Sequence, residues 1–116
     1  MLPRYLSDVS SAHGVVAGGV SAASRVGADI VAADSAEIYC TEATLRELVE
    51  RFGWSEGGES NLIVRIPQSP GDQLLEGREV MPAGVVAVDL MDAADVRTRR
   101  AGADLAENLL DQGHRR

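Results

Sequence analysis

Lysine is absent from this sequence; all eleven basic residues are arginine. That excludes Schiff-base chemistry, a lysine general base and the phosphate-gripping lysine of a Walker loop. Cysteine is almost absent. Cys40 stands alone, so no internal disulfide can form, and a reducing, cytoplasmic setting is expected. The two histidines, His13 and His114, lie near opposite ends of the chain, so no zinc-ligand spacing exists and no metal or cofactor is expected. Long apolar runs are also missing. No stretch approaches the ~18 apolar residues needed to span a membrane. The opening "MLPRYLSDVSSAH" has no basic segment followed by an apolar one, and does not read as a secretory signal.

What is there is acidic and modest in size. The chain has 116 residues and a formal net charge of −7. That length supports one domain with one modest core. The charge opposes broad, non-specific attraction to nucleic acid, itself a dense polyanion. The expected architecture is a single α/β domain over residues 1–116, a small mixed sheet with flanking helices, and a flexible tail at 112–116.

The elements follow from spacing and turn chemistry. Pro3 suits a first helical turn, Leu2, Leu6 and Val9 follow helical spacing, and Gly14 can close that helix. Val15 to Ala17 reads as a short buried strand, and Val20 to Val26 as a small-residue helix closed by Gly27. In "TEATLRELVERFGW", Leu45, Leu48, Val49 and Phe52 fall at i, i+3, i+4 and i+7 and should face inward together. Thr44 with Glu47 could form a capping box, and Thr41 is an equally good N-cap. Gly53 stands where a C-terminal glycine belongs. "SEGGES" is a turn. "NLIVRIP" reads as a strand, with Leu62, Val64 and Ile66 on one face and Ile63 and Arg65 on the other. "QSPGDQLLEGRE" reads as a loop. In "VMPAGVVAVDLMD" strand propensity competes with a helix start at Pro82, and helix is favoured, with Val85, Val88 and Met91 sharing one face. Asp92 or Asp95 can cap a last helix in which Val96, Ala103, Leu105, Leu109 and Leu110 supply apolar surface and which Gly113 ends.

The stretch with possible chemistry is "GVVAGGVSAASRVGADIVAADSAEIYC". A strand, a glycine turn at Gly18-Gly19 followed by Ser21, a helix, and a strand carrying carboxylates is the arrangement with which nucleotidyltransferases hold a nucleotide and its metal. That chemistry needs two carboxylates on one strand face, and residues two apart share a face. Asp29 is followed two residues later by Val31, Asp34 by Ala36, and Glu37 by Tyr39. No Asp-x-Asp or Asp-x-Glu pair exists, so a two-contact metal clamp is not expected. Gly18, Gly19, Ser21 and Glu37 remain as candidates for a remnant nucleotide site. A tight turn packing a helix on a strand explains the glycines equally well.

Other groups read as structural. Cys40 has nothing basic beside it in sequence and reads as a core residue. Trp54 reads as a cover for the core edge. Arg97, Arg99 and Arg100 form the one dense basic cluster besides the tail; a solvated helix face is the plainer reading, and a phosphate or acidic-partner contact the sharper one.

The glycine-turn segment, the helix "LRELVERFGW", the strand "SNLIVRIP" and "PAGVVAVDLMDAADVRTRRAGADLAENLL" together resemble the C-terminal domain of AbiEi-type antitoxins, over about Gly14 to Leu110. The pieces that carry the likeness are an N-x-x-x-R-x-P strand end and a later VA-x-DL before an acid-capped helix. The resemblance implies a degenerate nucleotidyltransferase-like fold without the catalytic set. It also implies a non-enzymatic role in a type IV toxin–antitoxin or transcription-regulator setting. Family members carry an N-terminal winged helix for promoter DNA, and the stretch before Gly14 is too short to be one. DNA contact is therefore expected only through a separate winged helix; for this chain the expected partner is another protein or a second copy. The competing readings are a small nucleotide-binding or nucleotidyltransferase-like enzyme and a structural oligomerisation domain.

Overall fold

The computed structural model describes Val9 and residues 12–30, 35–54, 62–68 and 71–114. Residues 1–8, 10 and 11 of the expected first helix and the "SEGGES" turn lie outside the described residues, as does Asp34; Gly14, at φ 81°, stands in the left-handed region expected of it. A three-stranded sheet organises the rest, in the order β1 (Val16–Ala17), β2 (Ala36–Tyr39), β3 (Leu62–Arg65). β1 is antiparallel to β2, with Val16 opposite Tyr39, and β2 is parallel to β3, with Tyr39 opposite Arg65. On its other side Ala17 bridges to the segment around Val80: its N–H donates to the Glu79 carbonyl at 2.9 Å and its carbonyl accepts from Met81 at 2.8 Å.

β2 is the central strand and is buried along its whole length. Alternation sends Ile38 to one face and Glu37 and Tyr39 to the other. On the Ile38 face sits α2 (Glu42–Phe52), where Leu48 joins Val9, Val15 and Ile38 in one apolar cluster, with Leu62 and Val64 against it. Trp54 covers the edge of this cluster, stacked on Phe52 with ring centroids 5.7 Å apart. On the Tyr39 face lie α1 (Gly19–Ala22, continuing as a 3-10 turn over Ala23–Val26), α3 (Ala83–Met91) and α4 (Val96–His114). They enclose Val16, Tyr39, Met81, Val86, Leu90 and Leu105. Among the described residues no helix is long and apolar enough to cross a membrane.

Several expectations hold. Gly27 and Gly53 close their helices in the left-handed region, with φ of 91° and 66°. Helix wins over strand at α3, where Val86 N–H donates to the Pro82 carbonyl at 3.1 Å. Asp95 caps α4 by accepting from the Thr98 N–H at 2.9 Å.

Others are corrected. Thr41, not a Thr44–Glu47 box, caps α2, accepting from the Thr44 N–H at 3.2 Å. In the α2 stripe only Leu48 is fully buried; Leu45 and Phe52 are half-buried and Val49 is exposed, because this face meets a narrow sheet of short strands. On α3 the face of Val88 and Met91 is the outer one, with Val88 61% exposed, while Val86, Ala87 and Leu90 face the core. On α4 the inward face is Thr98, Ala101, Gly102 and Leu105, whereas Val96 is 68% and Leu110 64% exposed. The segment read wholly as a loop contains a 3-10 turn, Gly71–Leu75. The last helix continues through 112–114 to His114 rather than stopping at Gly113; residues 115–116 lie outside the described residues.

Gly102 governs the α3–α4 contact. A Cβ there would sit 2.7 Å from the Leu90 Cβ, 2.7 Å from the Met91 nitrogen and 2.8 Å from the Ala87 carbonyl oxygen. Two of those are backbone atoms, which cannot rotate away. Glycine is normally a poor helix residue, and Gly→Ala in an unstrained helix gains ~0.5–1 kcal/mol. Here the added methyl must separate the helices, an overpacking cost of ~1–3 kcal/mol. Gly102→Ala is therefore expected to lower stability, whereas Gly84→Ala on α3, where a Cβ meets only open space, is expected to leave it unchanged or raise it. Urea unfolding midpoints check both; an increase for Gly102→Ala would contradict the close packing.

Candidate functional site at the glycine turn

β1 ends at Ala17 and the chain reverses through Gly18 and Gly19 into α1. Two close approaches require these glycines. A Cβ on Gly18 would lie 2.4 Å from the Tyr39 ring, and one on Gly19 would lie 2.0 Å from Glu37 Oε2. Gly19 also adopts φ +45°, in the left-handed region. The turn is tied to β2 by the Gly18 N–H, which donates to the Glu37 carbonyl at 3.0 Å, and by Ser21 Oγ, which accepts from the Glu37 N–H at 2.9 Å. The four candidates Gly18, Gly19, Ser21 and Glu37 are thus brought together, with the Ser21 hydroxyl engaged by the β2 backbone.

Glu37 is the charged centre of the site, 8% exposed. Its Oε2 lies 3.7 Å from Arg65 Nη2 on β3, an ion pair longer than a hydrogen bond. Among the described residues Glu37 Oε2 and Arg65 Nε are buried without hydrogen-bond partners. Burial is the largest influence on the Glu37 carboxyl and raises its pKa. The Arg65 charge opposes that rise, the Asp89 charge adds to it, and the Val20 backbone N–H, which bonds the carboxylate, opposes it. The net direction is upward, so desolvation outweighs the partners.

Tyr39, two residues along β2, shares the Glu37 face. Its hydroxyl donates to the Asp89 carboxylate on α3. Burial first, then the hydrogen bond and charge of Asp89, push the phenol well above its ordinary range. Tyr39 therefore stands at the strand position where a second metal-binding carboxylate would be needed. The second carboxylate of the site arrives instead from a helix, and is held by the tyrosine. Among the described residues no group of three or more His, Cys, Asp or Glu side chains is placed to hold a metal ion.

Sequence reasoning missed Tyr39, Arg65 and Asp89 as members of this cluster. The Glu37-x-Tyr39 spacing and a lone aspartate in the apolar run "AGVVAVDLM" were the available signals. The other candidates lie elsewhere. Arg97, Arg99 and Arg100 are exposed on the first turns of α4. Arg99 Nη1 donates to the Ala94 carbonyl at 2.7 Å and the Ala93 carbonyl at 3.2 Å, so it closes the α3–α4 turn. His13 is exposed, and Cys40 is fully buried with its thiol pushed up by burial. Comparison of the chain with protein-family models, curated proteins and solved structures returned no match.

The raised Glu37 pKa has a definite sign in stability. Above the ordinary glutamate pKa the unfolded state releases its proton while the folded state still holds it. Stability from this group is full below that ordinary value and is lost as pH rises through the folded value. Glu37→Gln, which fixes a neutral carbonyl in the turn, is expected to remove that loss. Urea midpoints at pH 5 and pH 8 should then differ less in the variant than in the wild type, with the variant gaining ground at pH 8. A wild-type advantage that grows toward pH 8 would contradict the dominance of desolvation.

Proposed function

We propose that this chain is a non-enzymatic interaction domain, antitoxin-like or associated with a transcription regulator, in a type IV toxin–antitoxin setting. On this reading its fold is a degenerate nucleotidyltransferase-like one. It works in the cytoplasm through a protein partner or self-association, and any DNA contact is supplied by a separate winged helix. The resemblance over Gly14 to Leu110 to the C-terminal domain of AbiEi-type antitoxins is the first support.

The observation that carries the reading is the position of Glu37. The space against Gly19 where a backbone cradle would receive a phosphate is occupied by the chain's own carboxyl group. The Val20 N–H, which could serve such a phosphate, bonds that carboxylate. An incoming phosphate would also meet like charge. Two unit charges at 4 Å repel by ~4 kcal/mol at the effective dielectric of a protein surface. The overall charge of −7 opposes an anionic substrate further.

One observation favours the enzyme reading: Asp89 adds a second carboxylate near Glu37, from a helix rather than from the strand. In such an enzyme Gly18, Gly19, Ser21 and Glu37 would hold the nucleotide. The two carboxylates are, however, already engaged, one with Arg65 and the other with the Tyr39 hydroxyl.

Catalytic silence is the expected outcome. Incubation with Mg²⁺ or Mn²⁺, labelled nucleoside triphosphates and an RNA or protein acceptor should transfer no label above a no-protein control. Transfer that is present in the wild type and lost in both Glu37→Gln and Asp89→Asn would establish the enzyme reading instead.

A further inference from the structure

A second feature lies on the side of β1 away from β2. A cleft of about 660 Å³ opens between the Gly14 turn, the 3-10 turn that carries Arg25, and the Leu75–Glu79 segment. It shares no lining residue with the Glu37 cluster. Its volume falls in the ~300–1,000 Å³ range of small-molecule pockets. Its walls carry the guanidiniums of Arg25 and Arg78 and the imidazole of His13. Among the described residues Glu79 is the one carboxylate on the walls.

Among the described residues neither guanidinium has a hydrogen-bond or ion-pair partner. Among the described residues the ion pairs are Arg46–Glu42 and Arg65–Glu37, and the side chains of Arg25 and Arg78 make no hydrogen bond. What sets the two apart from the other arginines without an ion pair is that both line the same concavity. The two residues are also far apart in sequence. The fold brings them to one concavity, one from the turn after α1 and the other from the segment leading into Val80.

We infer that this cleft binds the phosphate group of a small molecule, with Arg25 and Arg78 as its two ligating guanidiniums. Arginine presents a planar fork of donors that matches phosphate oxygens two at a time, and such charge-assisted bonds are the strong ones. The acidic character of the whole domain disfavours an extended polyanion more than a compact one. An extended polyanion would lie along many negative surfaces at once. A compact phosphate inside the cleft senses chiefly the charges within the ~8 Å Debye length of physiological salt. His13 would add a donor from the Gly14 side. This inference stands independently of the antitoxin reading and of whether the glycine turn is silent.

Inorganic pyrophosphate is the probe, followed by ¹⁵N spectra of the full chain at constant ionic strength. The expected result is a saturable shift of the Gly14, Gly77 and Arg78 amides, with the Gly19 amide unmoved. Arg25→Gln combined with Arg78→Gln should weaken it by about tenfold or more, the scale of losing charge-assisted hydrogen bonds. Arg97→Gln combined with Arg100→Gln should leave it unchanged. Both pairs are exposed, and among the described residues the Arg25 and Arg78 side chains hold no hydrogen bond or ion pair, so the variants should fold; a matching amide spectrum checks this. Equal shifts in sodium chloride of the same ionic strength, equal weakening by both variant pairs, or no saturable shift up to ~10 mM would each overturn the inference.

Discussion

A carboxyl group buried against a glycine turn is the constraint on which this structure depends. Glu37 occupies the middle of a central strand that is buried on both faces, a position that sheet burial normally gives to an apolar side chain. Its charge is only partly compensated, by Arg65 at 3.7 Å and by the Val20 N–H. The neighbours are arranged around it. Gly19 holds φ +45°, which favours glycine, with Glu37 Oε2 against its open side, and a Cβ on Gly18 would run into the buried Tyr39 ring. Ser21 holds the Glu37 backbone, and Tyr39 engages the remaining carboxylate of the site, Asp89. A buried polar group that is only partly compensated costs stability in any protein.

The rest of the fold holds that arrangement in place. α2 and the Val9–Ile38–Leu48 cluster cover one sheet face and fix β2 from behind. On the other face α3 delivers Asp89, and its position is set by α4 through the side-chain-free contact at Gly102. Arg99 closes the turn between these two helices and Asp95 starts the second. The three arginines at the start of α4 are all exposed, and one of them, Arg99, also makes a structural contact. The Ala17 N–H donates to Glu79 and the Ala17 carbonyl accepts from Met81, which places Arg78 beside β1 and brings it to the cleft that Arg25 lines.

Local chemistry was legible in the sequence, and long-range choices were not. The glycine stops at Gly27 and Gly53, the capping threonine and aspartate, and the helix after Pro82 follow from rules that act over four or five residues. The buried face of α3 could not be read, because "AGVVAVDLM" is apolar nearly all round and periodicity has nothing to select. On α4 the packing is made by Thr98, Ala101 and Gly102 rather than by its leucines alone, since a close helix contact needs small residues. In the site, Gly18, Gly19, Ser21 and Glu37 were visible as a pattern. Tyr39–Asp89, fifty positions apart, was not. The missing Asp-x-Asp pair was a sound observation about β2, but it says nothing of a carboxylate arriving from another element.

The central claim is that the chain's own carboxyl group fills the turn that would otherwise receive a phosphate. The most direct measurement is a titration of the ¹⁵N-labelled protein with Mg·ATP, following the Gly18, Gly19 and Val20 amides. The expected result is no saturable shift at these three positions, whatever happens at the Arg25–Arg78 cleft. A saturable shift of the Gly19 and Val20 amides that Arg25→Gln/Arg78→Gln leaves intact would contradict it, and would make the glycine turn a working nucleotide site.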